Sequence, residues 1–325
     1  MKSDDEKLRE LFETNKKPTF NKAIRRVKFF STVRTGMVSL MIFVIIIFTL
    51  MISNTTILNR MGDEKTKKLY ELSCISMPNT YVGAIQNYDS IMVGDIEYVK
   101  YKFLGNKVIT DGDYKEGYTY MPLINVSYGS GGDNILEQID RTQKRTDYNK
   151  VGRPIMEFYY PTIQYEHYKN DLERLNEIDK NKLAEVSLSF DKDYSIDEVK
   201  SIIPKEVTLN WYWVDTIPKN QIIDSKLPID EFRVYGIKGL DSQGNLLSNP
   251  ETDFINTIMS KKESGKLKNE YFNIYNTLSN GKDKLIKEDL KIIGVVVSGD
   301  VNALKSLRTK EFIKASTMGA IADKY

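Results

Sequence analysis

"TGMVSLMIFVIIIFTLMI", residues 35–52, is the stretch on which the reading of this chain turns. From Leu40 to Phe48 no residue is polar, so a helix built from it has no wet face to turn toward solvent. As an α-helix the run rises about 27 Å, close to the hydrocarbon thickness of a bilayer. No charge lies between Arg34 and Arg60. A buried core helix is the competing reading, and the lack of any polar face argues against it. The run therefore predicts a membrane-spanning helix over 35–53.

The flanks separate a spanning anchor from a cleaved leader. A leader here would begin with an n-region of 34 residues, and the run is followed by "SNTTILNRMG" rather than a small-residue cleavage site. An uncleaved signal anchor fits better. Residues 15–34 hold seven Lys or Arg and no acid, whereas residues 53–72 hold four basic residues. The positive-inside rule then predicts a single-pass protein of the cell membrane, with 1–34 as a cytoplasmic basic segment and the rest extracellular.

Charge and rare residues narrow the chemistry. The formal net charge of +2 conceals ten basic and five acidic residues in 1–34, against 37 and 40 in 53–325. The large part thus offers no basic excess to a nucleic-acid backbone, and no direct nucleic-acid contact is expected. Cys74 is the one cysteine and His167 the one histidine, which excludes a four-ligand Cys/His zinc site and an internal disulfide. Any His-dependent triad would have to run through His167, and that residue reads as a packing residue. No enzyme activity, cofactor or metal is expected.

Beyond the span, 54–175 reads as a juxtamembrane connector over 54–75, polar with a short helical tendency, followed by a β-rich membrane-proximal domain. "YVGAIQNYDSIM" and "IEYVKYKFLG" carry strand composition, with "TDGDYKEG" and "YGSGGDN" as turns. Asp111 and Asp113 then read as turn residues. Gly129, Gly131 and Gly132 lack the Lys-Ser/Thr ending of a phosphate loop. In "PIMEFYYPTIQYEHYKNDLERLNEI" the aromatic half is expected to pack, and Leu172, Leu175 and Ile178 recur at helical spacing.

From 176 to 325 the pattern predicts an α+β domain, with helices on a largely antiparallel sheet. "LAEVSLSF" and "VTLNWYWVDT" are strands, and Trp211 and Trp213 share one face with Tyr212 on the other. Ser195 with Glu198 forms a capping box. "FDKDYSIDE" reads as a solvated turn and a helix start, and "FRVYGIKGLDSQGNLL" as a hairpin about Asp241–Asn245. Helices are expected over 251–264 and 267–279. In "IIGVVVSGDVNALKSL", residues 292–307, a strand turns into a helix capped by Asp300, and that acid disfavours a phosphate at the helix end.

"LAEVSLSFDKDYSIDEVKSIIP", "LNWYWVDT" and "IIGVVVSGDVNALKSLRTKEFIKASTMGAIADKY" resemble the C-terminal domain of the sigma factor regulator family, membrane-anchored anti-sigma factors of Gram-positive bacteria. "FNKAIRRVKFFSTVRTGMVSLMIF" is similar to that family's basic helix leading into its span. The resemblance covers roughly 20–52 and 155–325. It implies that the chain holds an extracytoplasmic-function sigma factor at the membrane until an outside signal arrives. Phe20, Ile24, Val27 and Phe30 line one side of a helix with basic residues around the rest. By chemistry alone such a helix suits an anionic lipid bilayer surface, and the resemblance points to a partner groove instead. Anti-sigma domains commonly have several helices, whereas this segment has 34 residues. A partner membrane subunit or an envelope ligand is therefore also expected. The alternative reading is an anchored binding module for envelope glycans or peptides, with Tyr160, Trp211 and Trp213 as its stacking residues.

Overall fold

The computed structural model describes residues 5–6, 18–124, 126, 136–139, 145–218 and 227–325. The chain divides into two compact units, Met1–Ile57 and Leu58–Tyr325. A helix of 58 residues, α1, runs from Pro18 to Ile75. It contains the whole apolar run, whose side chains are exposed from Leu40 to Phe48, as a lipid-facing helix requires. The short helical tendency expected of the connector after the span extends over all of it. Residues 54–75 continue the helix, and Leu58, Leu69 and Ile75 are buried in the second unit.

That unit starts with an antiparallel sheet centred on β3 (Val93–Leu104). One side of β3 pairs with β2 (Gln86–Asp89) and β1 (Tyr81–Val82), and the other with β4 (Lys107–Thr119). The reading of "TDGDYKEG" as a turn is corrected here, because those residues lie inside β4. The hairpin turns at Gly105-Asn106, where Gly105 takes φ 54°. Gly112, at φ 105°, sits where the β3–β4 register shifts. Glycine and aspartate signal bulges as well as turns, since both need a conformation that other residues resist. The "YGSGGDN" segment and Gly129, Gly131 and Gly132 lie outside the described residues. Two short strands, β5 (Leu136–Ile139) and β6 (Arg145–Tyr148), pair with each other. A further short strand, β7 (Glu157–Phe158), pairs with β10 (Ile229–Asp230).

The second sheet has five strands in the order β11-β9-β12-β8-β13, with every pair antiparallel. They are β8 (Lys182–Tyr194), β9 (Thr208–Val214), β11 (Gly236–Lys238), β12 (Ile292–Asp300) and β13 (Ile313–Asp323). Both β8 and β9 run against β12, so they are parallel to each other, and helix α2 (Ile196–Ile202) joins them. In the same way β12 and β13 flank β8 and are joined by α5 (Val301–Lys305). Two interleaved βαβ crossovers of this kind form the split βαβ plan. Helices α3 (Pro250–Ser264) and α4 (Lys268–Ser279) are inserted before β12.

The sheet is covered on both faces, which explains why β12 is apolar almost without interruption. Val186, Leu188, Phe190, Tyr212, Val214, Val295 and Val297 pack on the helices, joined by Ile75 from the end of α1. Trp211, Trp213, Ile293 and Val296 face the other way, onto Met156–Tyr160 and Tyr165. Each large aliphatic side chain so enclosed contributes about 1.5–3 kcal/mol. Local capping follows the sequence. Ser195 and Glu198 close their capping box, and Asp300 accepts from the Asn302 N–H at 2.9 Å. "FDKDYSIDE" differs in part, because β8 continues through Asp191 and Asp193 to Tyr194. The Asp241–Asn245 turn closes through a backbone bond of 2.9 Å, with Leu240 and Leu246 bridged across it.

Candidate functional site

The inner part of α1 carries the residues singled out for partner binding. Ile24, Val27 and Phe30 are exposed at 39%, 68% and 67%, and Phe29 packs edge-on against Phe30 with centroids 6.0 Å apart. Phe20 belongs to the same helix, with its side chain outside the described residues. Lys22, Arg25, Arg26 and Lys28 stand among them. The surface combines an apolar strip with cationic flanks, a form suited to a groove or to an anionic face.

The outer end of the same helix is gripped from two directions. On one, Leu58 and Leu69 pack with Ile96, Tyr98, Tyr114 and Tyr118 of β3 and β4. Gly62 lets the Tyr118 ring approach so closely that an added Cβ would lie 2.7 Å from the phenol oxygen. Burial and the Asp89 carboxylate, which accepts its hydrogen bond at 2.7 Å, raise the Tyr118 phenol above its ordinary range. On the other side stands the α3–α4 corner. Lys266 pairs with Glu64 at 3.0 Å, and this hydrogen-bonded cation lowers the Glu64 carboxyl. Glu71 accepts from the Leu267 N–H at 2.9 Å and from Lys261 at 3.3 Å. The Tyr271 hydroxyl donates to the Glu71 carbonyl at 2.7 Å.

A buried polar network binds the two sheets. Lys102 of β3 and Glu185 of β8 are both wholly buried, with Nζ 3.0 Å and 3.1 Å from the two carboxylate oxygens. Glu185 also accepts from Asn79 Nδ2 at 2.8 Å and from the Ala320 N–H at 3.1 Å. Asn210 donates to Asn79 Oδ1 and to the Phe103 carbonyl, each at 3.0 Å. The Gly105 N–H donates to Ser298 Oγ at 3.0 Å. An ion pair so deeply buried survives because its remaining lone pairs and protons are satisfied as well. A second buried cluster places Arg153 between Asp111 and Glu231. Burial opposes charge on Arg153, yet the two carboxylates prevail and raise it well above its ordinary value. Burial would likewise raise Asp111, but Arg153 and Lys102 outweigh it and hold the carboxyl low. Asp111 is therefore a buried ion-pair partner rather than the turn residue read from sequence.

The stacking residues of the alternative reading come together, but inside the core. Tyr160, Trp211 and Trp213 are exposed by 2%, 0% and 0%. Phe158 lies edge-on to both indoles, and Tyr160 meets Trp213 at 5.4 Å. No face of these rings is open to a ligand in this structure. His167, read as a packing residue, is exposed instead. Among the described residues no three His, Cys, Asp or Glu side chains converge as a metal site.

Sequence reading missed Lys102, Glu185, Asn79, Asn210 and Arg153. One signal was present: Lys102 shares the strand phase of Ile96, Tyr98 and Leu104, which are buried. Glu185, Ser187 and Ser189 alternate with apolar residues and so read as a wet face. That face is covered, by a segment the alternation does not reveal.

Comparison with known families finds two matches in chain order. The model described as sigma factor regulator N-terminal covers residues 21–109, and that described as sigma factor regulator C-terminal covers 175–320. No curated protein and no solved structure matches. The first match holds the apolar helix, which fits a single pass through a membrane, and also Lys102. The second holds Glu185 and the whole split βαβ core to Ala320. The matched domains support an anti-sigma regulator role with a sigma factor as partner, in a family that is regulatory and not known as enzymatic. With both domains matched, and joined by a buried ion pair, the chain belongs to the sigma factor regulator family.

Proposed function

We propose that this protein restrains an extracytoplasmic-function sigma factor through residues 18–34 and relieves that restraint when its folded unit responds to an envelope signal. The N-terminus lies in the cytoplasm in this reading, and Leu58–Tyr325 lies outside. One observation carries it. The helix that bears the exposed Ile24, Val27 and Phe30 is the same element whose far end is held by Glu71, Leu58 and Leu69. A change in how the α3–α4 corner or the first sheet holds residues 58–75 acts on one continuous element. Helix shifts of about 1–2 Å are an established means of switching. The signal needs only to favour one arrangement of the grip over another, since a ligand shifts an equilibrium by its differential affinity.

The direct test is retention of a sigma factor by the full chain. Replacing Ile24, Val27 and Phe30 together by Ala is expected to abolish co-purification, while Tyr271→Phe keeps retention and alters release. If a chain lacking residues 1–34 still retains the sigma factor, the mechanism is wrong. A reporter fused at Tyr325 tests the topology, and activity confined to the cytoplasm refutes the assigned orientation.

A further inference from the structure

We propose that residues 4–13 fold back along α1 as a second helix and cover Ile24 and Val27. The segment reads "DDEKLRELFE", and its sequence predicts a helix. Ser3 stands three residues before Glu6, the spacing of a capping box, and Asp4, Asp5 and Glu6 suit the positive end of the helix dipole. Leu8, Leu11 and Phe12 then fall on one side, at i, i+3 and i+4. Asp5 and Glu6, the described residues of the segment, are helical and exposed. A helix this short is marginal alone in water, so its apolar side needs a surface to pack on.

Charge and chain length select that surface. Within the compact unit Met1–Ile57 every acidic residue lies in this segment, as Asp4, Asp5, Glu6, Glu10 and Glu13. Against them stand Lys7 and Arg9, which leaves the segment a formal charge of −3. The inner part of α1 carries Lys22, Arg25, Arg26 and Lys28, all exposed, around a strip in which Ile24 and Val27 stand open. No acid follows Glu13 until Asp63, so α1 offers these cations no nearby carboxylate of its own. Four residues, 14–17, separate Glu13 from Pro18, where α1 starts. Antiparallel helices are joined by connections of that length. Ten residues rise about 15 Å, which carries the returning helix from Pro18 to the level of Lys28. That register sets Leu11 and Phe12 level with Phe20, Leu8 level with Ile24, and Asp4 and Asp5 level with Val27 and Lys28. Phe30 stays beyond the cover. The strip is open in this structure, so the covered form is a second arrangement of the same chain, which a partner groove has to displace. The contact stands apart from the proposed restraint, and its effect on sigma-factor binding rests on that reading.

The test measures a distance within the full chain, in a detergent of no net charge. Spin labels are attached through K2C and S31C, in a C74S background that removes the one native thiol. A single straight helix through both sites would separate them by about 44 Å, whereas the returning helix brings them within about 20 Å. Pulsed electron–electron double resonance is expected to show the short distance as a resolved population. L8A/L11A/F12A and I24A/V27A are each expected to lower that population at least about tenfold, since one large apolar side chain carries about one to two factors of ten when buried. D4N/D5N is expected to lower it by up to about fivefold, the weight of an exposed ion pair. A broad distribution centred beyond about 30 Å, the signature of a segment that does not return, overturns the proposal. A short distance that L8A/L11A/F12A leaves unchanged overturns it too. If the short distance fades as unlabelled chain is mixed in, the strip is covered by a second copy. If it persists in phosphatidylcholine vesicles and is lost in phosphatidylglycerol vesicles, the strip belongs to the anionic lipid surface. Either result overturns the intrachain cover. No sigma factor is present in any sample, so failure here leaves the proposed restraint standing.

Discussion

The pair formed by Lys102 and Glu185 sets a quantitative expectation. Both side chains are wholly out of solvent, and the pair joins β3 to β8 across the two family-matched regions. Lys102→Met leaves a buried carboxylate with the Asn79 amide and the Ala320 N–H as its remaining donors. Glu185→Gln leaves a buried ammonium facing a neutral amide and the Pro78 carbonyl, 3.3 Å away. Stranding one charge of a buried pair costs about 3–5 kcal/mol. That is a large share of the roughly 5–15 kcal/mol by which folded domains are stable. In K102M/E185Q no charge is stranded, and the neutral amide that replaces the carboxylate keeps an oxygen to accept from Asn79 or Ala320. The double variant is expected to be less damaged than the sum of the singles, with a coupling of at least about 2 kcal/mol. The assay is denaturant unfolding of the full chain in detergent, followed by emission of Trp211 and Trp213, which are wholly buried and report on the second sheet. Single variants that each lose under about 1 kcal/mol, or losses that simply add, refute the view that the sheets are joined through a closed ion pair.

Other substitutions probe the grip on α1 and the local signals. Gly62→Ala should destabilise by about 1–3 kcal/mol through overpacking on Tyr118, although Ala is the better helix former by about 1 kcal/mol. Tyr118→Phe in that background should restore part of the loss in thermal unfolding, because the phenol oxygen is the nearest obstruction. Ser195→Ala should cost about 1 kcal/mol by opening the capping box, with no change in sigma-factor retention. Arg153 and Lys102 hold Asp111 below its ordinary value against the opposing effect of burial. Its contribution is therefore present above the unfolded value of about 3.9 and lost as pH falls through the folded one. Asp111→Asn should flatten the acid side of the stability profile when unfolding midpoints are compared between about pH 6 and pH 3. An acid limb as steep as in the unmodified chain would remove Asp111 from that role.

Much of this protein is legible in its sequence, because the signals involved are local. Residues 35–52 announce a spanning helix by length and lack of charge alone. The α3 and α4 segments show their own periodicity, β12 stands out as a nearly unbroken apolar run, and the Ser195 box and Asp300 cap are each contained within a few residues. The errors share a cause. In "TDGDYKEG", glycine and aspartate mark an unusual backbone, but whether it becomes a turn or a bulge depends on the strand opposite. Residues 54–75 show only a short helical tendency because their apolar positions are sparse, so the length of the helix is what their sequence understates. They remain helical where sheet and corner pack against them, and tertiary contact supplies most helical stability.

What the sequence by itself determined is which residues share a face and where the elements start. Only the tertiary structure decided which faces are covered. The polar side of β8 looks wet, yet Glu185, Ser187 and Ser189 are buried there. Lys102 lies 83 residues from Glu185, Asn79 lies 131 from Asn210, and Glu71 lies 196 from Leu267. Periodicity reports a residue's own neighbours along a strand or helix. Partners brought together by folding across such separations leave no trace in it, so the burial that turns a lysine and a glutamate into one closed pair becomes visible only once the sheets have met.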